Sequence, residues 1–145
     1  MRILIDADGC PVVDETVELA NKYKIECLIL CDTSHVFEKP GAITKIFDKG
    51  ADSVDFALVN LIEKGDIVIT QDYGLAAMCL ARRAITINQD GREYTGDNID
   101  SLLLSRYTAK KIRNAGGRLK GPAKRTTQQD KYFIETLEGL LKKEG

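Results

Sequence analysis

A single histidine, no Cys-x-x-Cys pair, no glycine-rich phosphate loop and no long apolar run mark this 145-residue sequence. Each absence removes a class of chemistry. Any Ser–His–Asp device would have to use His35, and no Gly-x-Ser-x-Gly elbow accompanies it. His35 is therefore expected to cap or pack in the loop after the second strand, with a substrate contact as the lesser alternative. Neither Gly-x-Gly-x-x-Gly nor Gly-x-x-x-x-Gly-Lys-Ser/Thr occurs, so the usual backbone cradles for a nucleotide's phosphates are missing. No apolar run approaches the roughly 20 residues that span a bilayer. Met1-Arg2-Ile3-Leu4-Ile5-Asp6 meets an aspartate too early for a signal peptide, and a cytoplasmic location is expected. Cys10, Cys27, Cys31 and Cys79 lack the spacing of a structural zinc site and read as reduced, mostly buried small hydrophobes. Excess charge is missing too: 21 basic against 22 acidic side chains leave a net −1. Only the local distribution of charge can then speak for or against a polyanionic partner.

What is present is an alternation of strands and helices. Arg2 to Ile5 is a short apolar strand, and Pro11 suits the first turn of a helix that runs to Tyr23. Ile25 to Cys31 is nearly all apolar, as in a strand covered on both faces. Ala42 to Phe47 alternates loosely as a third strand. Val54, Ala57, Leu58, Leu61 and Ile62 then share one helical face, stopped by Gly65. Ile67 to Thr70 is the most strand-like segment, Leu75 to Ala81 returns as a helix, and Ala84 to Asn88 makes a fifth strand before the turn Gln89-Asp90-Gly91-Arg92. From Asp97 the chain reads as helical, with breaks near Asn114 to Gly117 and at Gly121-Pro122, and a final helix spans about Thr127 to Lys142. Strands separated by crossover helices predict one α/β domain over residues 1–145, a three-layer sandwich with a mainly parallel sheet of about five strands. Arg113 to Thr127 is the segment expected to move as a flap. The last helix has an apolar face for its own sheet or for a partner, which leaves a homodimer open.

In a parallel sheet, ligands bind beyond the carboxyl ends of the strands, near the point where strand order reverses. Asp6 and Asp8 end the first strand, Asp72 ends the fourth, and Asp52 opens the helix between strands three and four. Asp55 lies one turn along that helix on the same side as Asp52. Each has a structural alternative: Asp52 as a helix N-cap worth about 1 kcal/mol, Asp6 and Asp72 as loop formers. Together they are harder to dismiss, because carboxylates within about 4–6 Å raise one another's pKa unless a cation neutralises them. Oxygen-rich sites of this kind suit Mg²⁺ or Mn²⁺, usually completed by water and phosphate oxygens. Such a cation supports phosphodiester hydrolysis.

From Ser101 to Gln129 there is no acidic residue, while Arg106, Lys110, Lys111, Arg113, Arg118, Lys120, Lys124 and Arg125 all fall there. That segregation suits a polyanion held beside an acidic metal site; a solvated helix face is the plainer alternative. Tyr107 and Tyr132 are available as stacking surfaces.

Asp6-Ala7-Asp8-Gly9-Cys10-Pro11-Val12 resembles the opening signature of the YaiI/YqxD family of bacterial proteins. Lys49-Gly50-Ala51-Asp52-x-x-Asp55 and Gly65-Asp66-Ile67-Val68-Ile69-Thr70-Gln71-Asp72 resemble its later blocks. Asn98-Ile99, Arg106, Arg113, Gly121-Pro122 and Asp130-x-x-Phe133 extend the likeness over nearly the whole chain. The resemblance implies a PIN-like fold, shared with metal-dependent nucleases, in which Asp6, Asp52 and Asp72 match the ligand positions and Asp8 and Asp55 support them. The glutamate that such nucleases often supply from a middle helix has no clear counterpart. The leading expectation is a Mg²⁺- or Mn²⁺-dependent nuclease acting on RNA, with Asp6, Asp52 and Asp72 catalytic and Arg106, Arg113, Arg118 and Lys120 on the phosphate backbone. A nucleic-acid or nucleotide binding module without turnover is one alternative. A metal-dependent phosphatase of a small substrate is the other.

Overall fold

Alternate residues of the central strands are apolar on both sides, so the sheet has to be covered twice. The computed structural model describes residues 1–50, 53–114 and 124–144. Its elements in chain order are β1 (Arg2–Asp6), α1 (Val13–Lys22), β2 (Glu26–Asp32), β3 (Ile43–Phe47), α2 (Ser53–Leu61), β4 (Ile67–Ile69), α3 (Tyr73–Ala81), β5 (Ile85–Ile87), β6 (Glu93–Tyr94), α4 (Gly96–Asn114) and α5 (Thr127–Glu144). The six strands stand in the order β3-β2-β1-β4-β5-β6. All neighbours run parallel except β6, which returns antiparallel to β5.

The period of two along each strand sorts the side chains into two cores. Ile3, Ile5, Cys27, Ile29, Cys31, Ile67, Ile69 and Ile87 pack with Val13 and Val17 of α1 and with Phe133, Leu137 and Leu141 of α5. Leu4, Leu28, Leu30 and Val68 point the other way, against Leu58 of α2, the following Ile62, and Leu75 and Cys79 of α3. The result is a three-layer α/β sandwich. A third cluster, Ala76, Tyr94 and Ile99, ties α3 and β6 to α4. The apolar face of α5 is thus spent on its own sheet, and Glu138 reinforces the contact by accepting from Lys22 Nζ at 2.9 Å and Tyr23 Oη at 3.0 Å.

Two local expectations need correction. Pro11 lies in the turn before α1, whose N-cap is Val12, so it precedes the first helical turn instead of occupying it. The sixth strand was not anticipated; β6 is two residues long, too short for any period to register. Of the segment expected to act as a flap, residues 115–123 lie outside the described residues, between the end of α4 and the approach to α5.

From β1 the chain builds outward through β2 to β3, then crosses back to set β4 on the other flank of β1. Strand order therefore reverses between β1 and β4, which puts a crevice beyond the carboxyl ends of those two strands.

Candidate functional site: an acidic cleft at the sheet edge

Asp6 is the last residue of β1, Asp8 follows in the loop to α1, Asp55 is in the first turn of α2, and Asp72 precedes α3. Although distant in sequence, all four line one cleft of about 360 Å³, together with Gln71 and Tyr73. A smaller hollow of about 140 Å³ adjoins it, sharing Asp6, Asp8 and Asp55 and adding Asp32 from the end of β2. The cleft sits at the β1/β4 reversal, where the fold leaves room for a ligand.

Hydrogen bonds hold the acids in place. Thr70 Oγ1 donates to Asp6 Oδ2 at 2.7 Å and also accepts from the Asp72 backbone N–H at 3.0 Å, coupling the two strand ends. Asp72 is the N-cap of α3, its Oδ1 accepting from Gly74 N at 2.8 Å and Leu75 N at 3.2 Å. It is a cap as well as a cleft wall; its structural alternative in the sequence was a loop former, not a cap. Gln71 Nε2 donates to Gly9 O at 2.7 Å and ties the loop after β4 to the loop after β1. Asp6 itself is half-buried. Burial pushes its carboxyl up to about 6; the hydrogen bond from Thr70 opposes this, and the negative charges of Asp55, Asp72 and Asp8 add to it.

Gln71 and Tyr73 of the cleft, Asp32 of the adjoining hollow and the buried Thr70 that bonds Asp6 are the residues that sequence reasoning did not single out. Only Thr70 left a trace, as the polar end of an otherwise apolar strand two residues before Asp72.

A family model described as "Uncharacterized BCR, YaiI/YqxD family" matches residues 4–143. The chain belongs to the YaiI/YqxD family. Among its relatives, a UPF0178 protein of Exiguobacterium sibiricum is 52% identical over 141 residues, covering 97% of this chain and 96% of the relative. One from Clostridium acetobutylicum is 46% identical over 143 residues, covering 97% of each, and one from Ruminiclostridium cellulolyticum is 44% identical over 145 residues, covering 100% of this chain and 95% of the relative. No solved structure matches the chain at a significant level.

In this YaiI/YqxD protein the donor set fits a hard divalent cation in kind, being carboxylate oxygens in a cleft where a half-buried acid is pushed toward protonation by burial and, to a lesser degree, by its acidic neighbours. Among the described residues, however, no three His, Cys, Asp or Glu side chains stand where they could grip one ion. Asp52 lies outside the described residues, as do Arg118 and Lys120 and the side chains of Arg106 and Arg113 on α4. Arg125, from the same basic stretch, is committed elsewhere: it donates to Asp130 and to Asp90 at 2.7 Å each and to Gln89 O at 2.6 Å. His35 packs its ring on Phe37 at 4.4 Å between centroids in an exposed loop. Cys27, Cys31 and Cys79 are buried and Cys10 half-buried, all unpaired; burial pushes the Cys10 thiol up to about 11 and those of Cys27 and Cys79 to about 12. Among the described residues no helix is long and apolar enough to cross a membrane.

Proposed function

We propose that this chain is a Mg²⁺- or Mn²⁺-dependent nuclease that hydrolyses phosphodiester bonds of RNA at the aspartate cleft. The observation that carries the reading is the convergence of Asp6, Asp8, Asp55 and Asp72 on one hollow at the reversal of strand order. Burial, and after it the like charges gathered there, raise the Asp6 pKa, a cost that a bound cation would offset. Asp6 and Asp72 would hold the ion, with Asp52 added on the family resemblance and Asp8 and Asp55 in direct or water-bridged support. Mg²⁺ needs only one or two carboxylates when water and phosphate complete its shell. Once bound, the ion supplies a Lewis acid for the phosphoryl oxygens and an acidified water. The chain's own part is orientation: Thr70 fixes Asp6, the α3 cap fixes Asp72, and Gln71 keeps their loops together. Arg106, Arg113, Arg118 and Lys120 would hold the flanking phosphates. RNA is preferred as the polymer by analogy with the nuclease fold that the family resembles.

Mn²⁺ titration calorimetry tests this on the wild type, Asp6→Asn and Asp72→Asn. Both variants are expected to lose at least tenfold in affinity, and Asp72→Asn keeps its cap because asparagine caps as well as aspartate. Equal affinity in all three forms would remove the metal site and leave the acids as caps and turns. A second reading is RNA binding without turnover. It predicts salt-sensitive RNA binding that survives EDTA, with no cleavage under Mn²⁺.

A further inference from the structure

A larger hollow, of about 540 Å³, opens where the turn after β5 meets the start of α5. Asp90, Arg92, Thr126, Gln128, Gln129 and Tyr132 line it. Its volume lies within the roughly 300–1,000 Å³ of small-ligand sites. Carbon makes up more of its exposed wall than oxygen and nitrogen do, the reverse of the acidic cleft. β4 and β5 run parallel with Ile69 level with Ile87, so the residues after each strand emerge at one edge. Neighbouring strands are about 4.8 Å apart, so Gln71 and Asp72, which follow β4, and Asp90, which follows β5, leave the sheet at neighbouring positions.

Asp90, the acid of this second hollow, is already matched. Asp90 Oδ1 accepts from Arg125 at 2.7 Å and from Gln129 Nε2 at 3.4 Å, and Arg125 also neutralises Asp130. Gln129 Oε1 accepts from Thr126 N at 2.7 Å in the cap of α5. That leaves Arg92, Gln128 and Tyr132 on the open surface, with Tyr132 55% exposed. Arg92 offers one positive charge, and the open ring of Tyr132 with a few hydrogen-bonding groups beside it suits a flat, uncharged base.

We infer that this hollow is a base-binding subsite for single-stranded RNA. One base stacks on Tyr132 beside Arg92, with Gln128 at the rim to bond its edge, while the acidic cleft takes the adjoining phosphodiester. The inference rests on the nuclease reading for the identity of the polymer, and it adds what grips that polymer next to the scissile bond.

The test measures binding of a fluorescent single-stranded oligoribonucleotide in EDTA, where cleavage cannot intervene, with cleavage under Mn²⁺ as a separate readout. Tyr132→Ala is expected to weaken binding about tenfold, the scale of one lost base stack, while Tyr132→Phe keeps it. An oligomer carrying one abasic position should narrow the difference between wild type and Tyr132→Ala. Unfolding midpoints of the variants check that a lost affinity is not a lost fold. Equal affinity of wild type and Tyr132→Ala, with cleavage intact, overturns the subsite and spares the nuclease reading. Binding that depends on Tyr132 without cleavage keeps the subsite and overturns the nuclease. A wild type that binds no RNA overturns both.

Discussion

Asp6 illustrates how one residue can serve a site and cost the fold. Its carboxyl ordinarily titrates near 3.8 and stands at about 6 in the folded chain, chiefly through burial. Between those two pH values the folded state binds a proton that the unfolded state has released, so stability falls as pH rises through the window and levels off above it. With a shift of about two units the loss is on the order of 1–3 kcal/mol. In the metal-free protein, the unfolding free energy from urea titration is therefore expected to be lower at pH 7.5 than at pH 4.5 by most of that amount from this group. Asp6→Asn, whose amide oxygen still accepts from Thr70, should raise the midpoint at pH 7.5 and flatten that step. With saturating Mn²⁺ the order should invert, because the wild type gains binding energy that the variant lacks. A variant no more stable than the wild type at pH 7.5 without metal would mean that Asp6 carries no such strain.

Elements were legible in the sequence where a period had room to show. The runs that became β1, β2 and β4 are apolar on both faces, and the face of Val54, Leu58, Leu61 and Ile62 marked α2. The acids of the cleft were legible for the same reason: parallel strands deliver their carboxyl ends to one edge, so Asp6 and Asp72 follow from strand boundaries alone. Thr70 was not, because its partner Asp6 is 64 residues away and a single hydrogen bond has no pattern. Nor was β6, whose two residues are held by context: Tyr94 is buried and donates to Thr70 O at 3.1 Å. That context includes the turn at Gly91, which has φ +84° and presses on α5. A Cβ there would meet Thr136 Oγ1 at 2.8 Å and the backbone at Phe133 Cα and Tyr132 O, each at 3.0 Å. Gly91→Ala combines a left-handed backbone with a clash that no rotamer relieves. It should lower stability by at least about 2 kcal/mol in chemical denaturation, and a cost under about 0.5 kcal/mol would show that α5 is not docked on this turn.

At the scale of the whole molecule, a net charge of −1 conceals two opposed fields. The cleft aspartates stand at the carboxyl edge of the sheet, and every charged residue from Ser101 to Gln129 is basic. Charge balance alone cannot tell an RNA-binding stretch from a solvated one, but the response to salt can, since each phosphate neutralised on a single strand adds about 0.7 to the slope of log affinity against log salt. The basic residues should not contribute equally. Arg125 is already bonded to two carboxylates and a carbonyl. Its replacement by alanine is expected to cost about 1–2 kcal/mol of stability, since the fork spans two partly exposed acids, and to leave the salt slope nearly unchanged. Arg118 and Lys120 carry the opposite expectation. Changing both to alanine should leave the unfolding midpoint in place and reduce the slope for an oligoribonucleotide by about 1.4. If the slope instead stays constant in the double variant and drops in Arg125→Ala, the anion path runs over the start of α5. A slope constant in all three would return the basic stretch to solvent, leaving the acidic cleft to act on a substrate too small to need it.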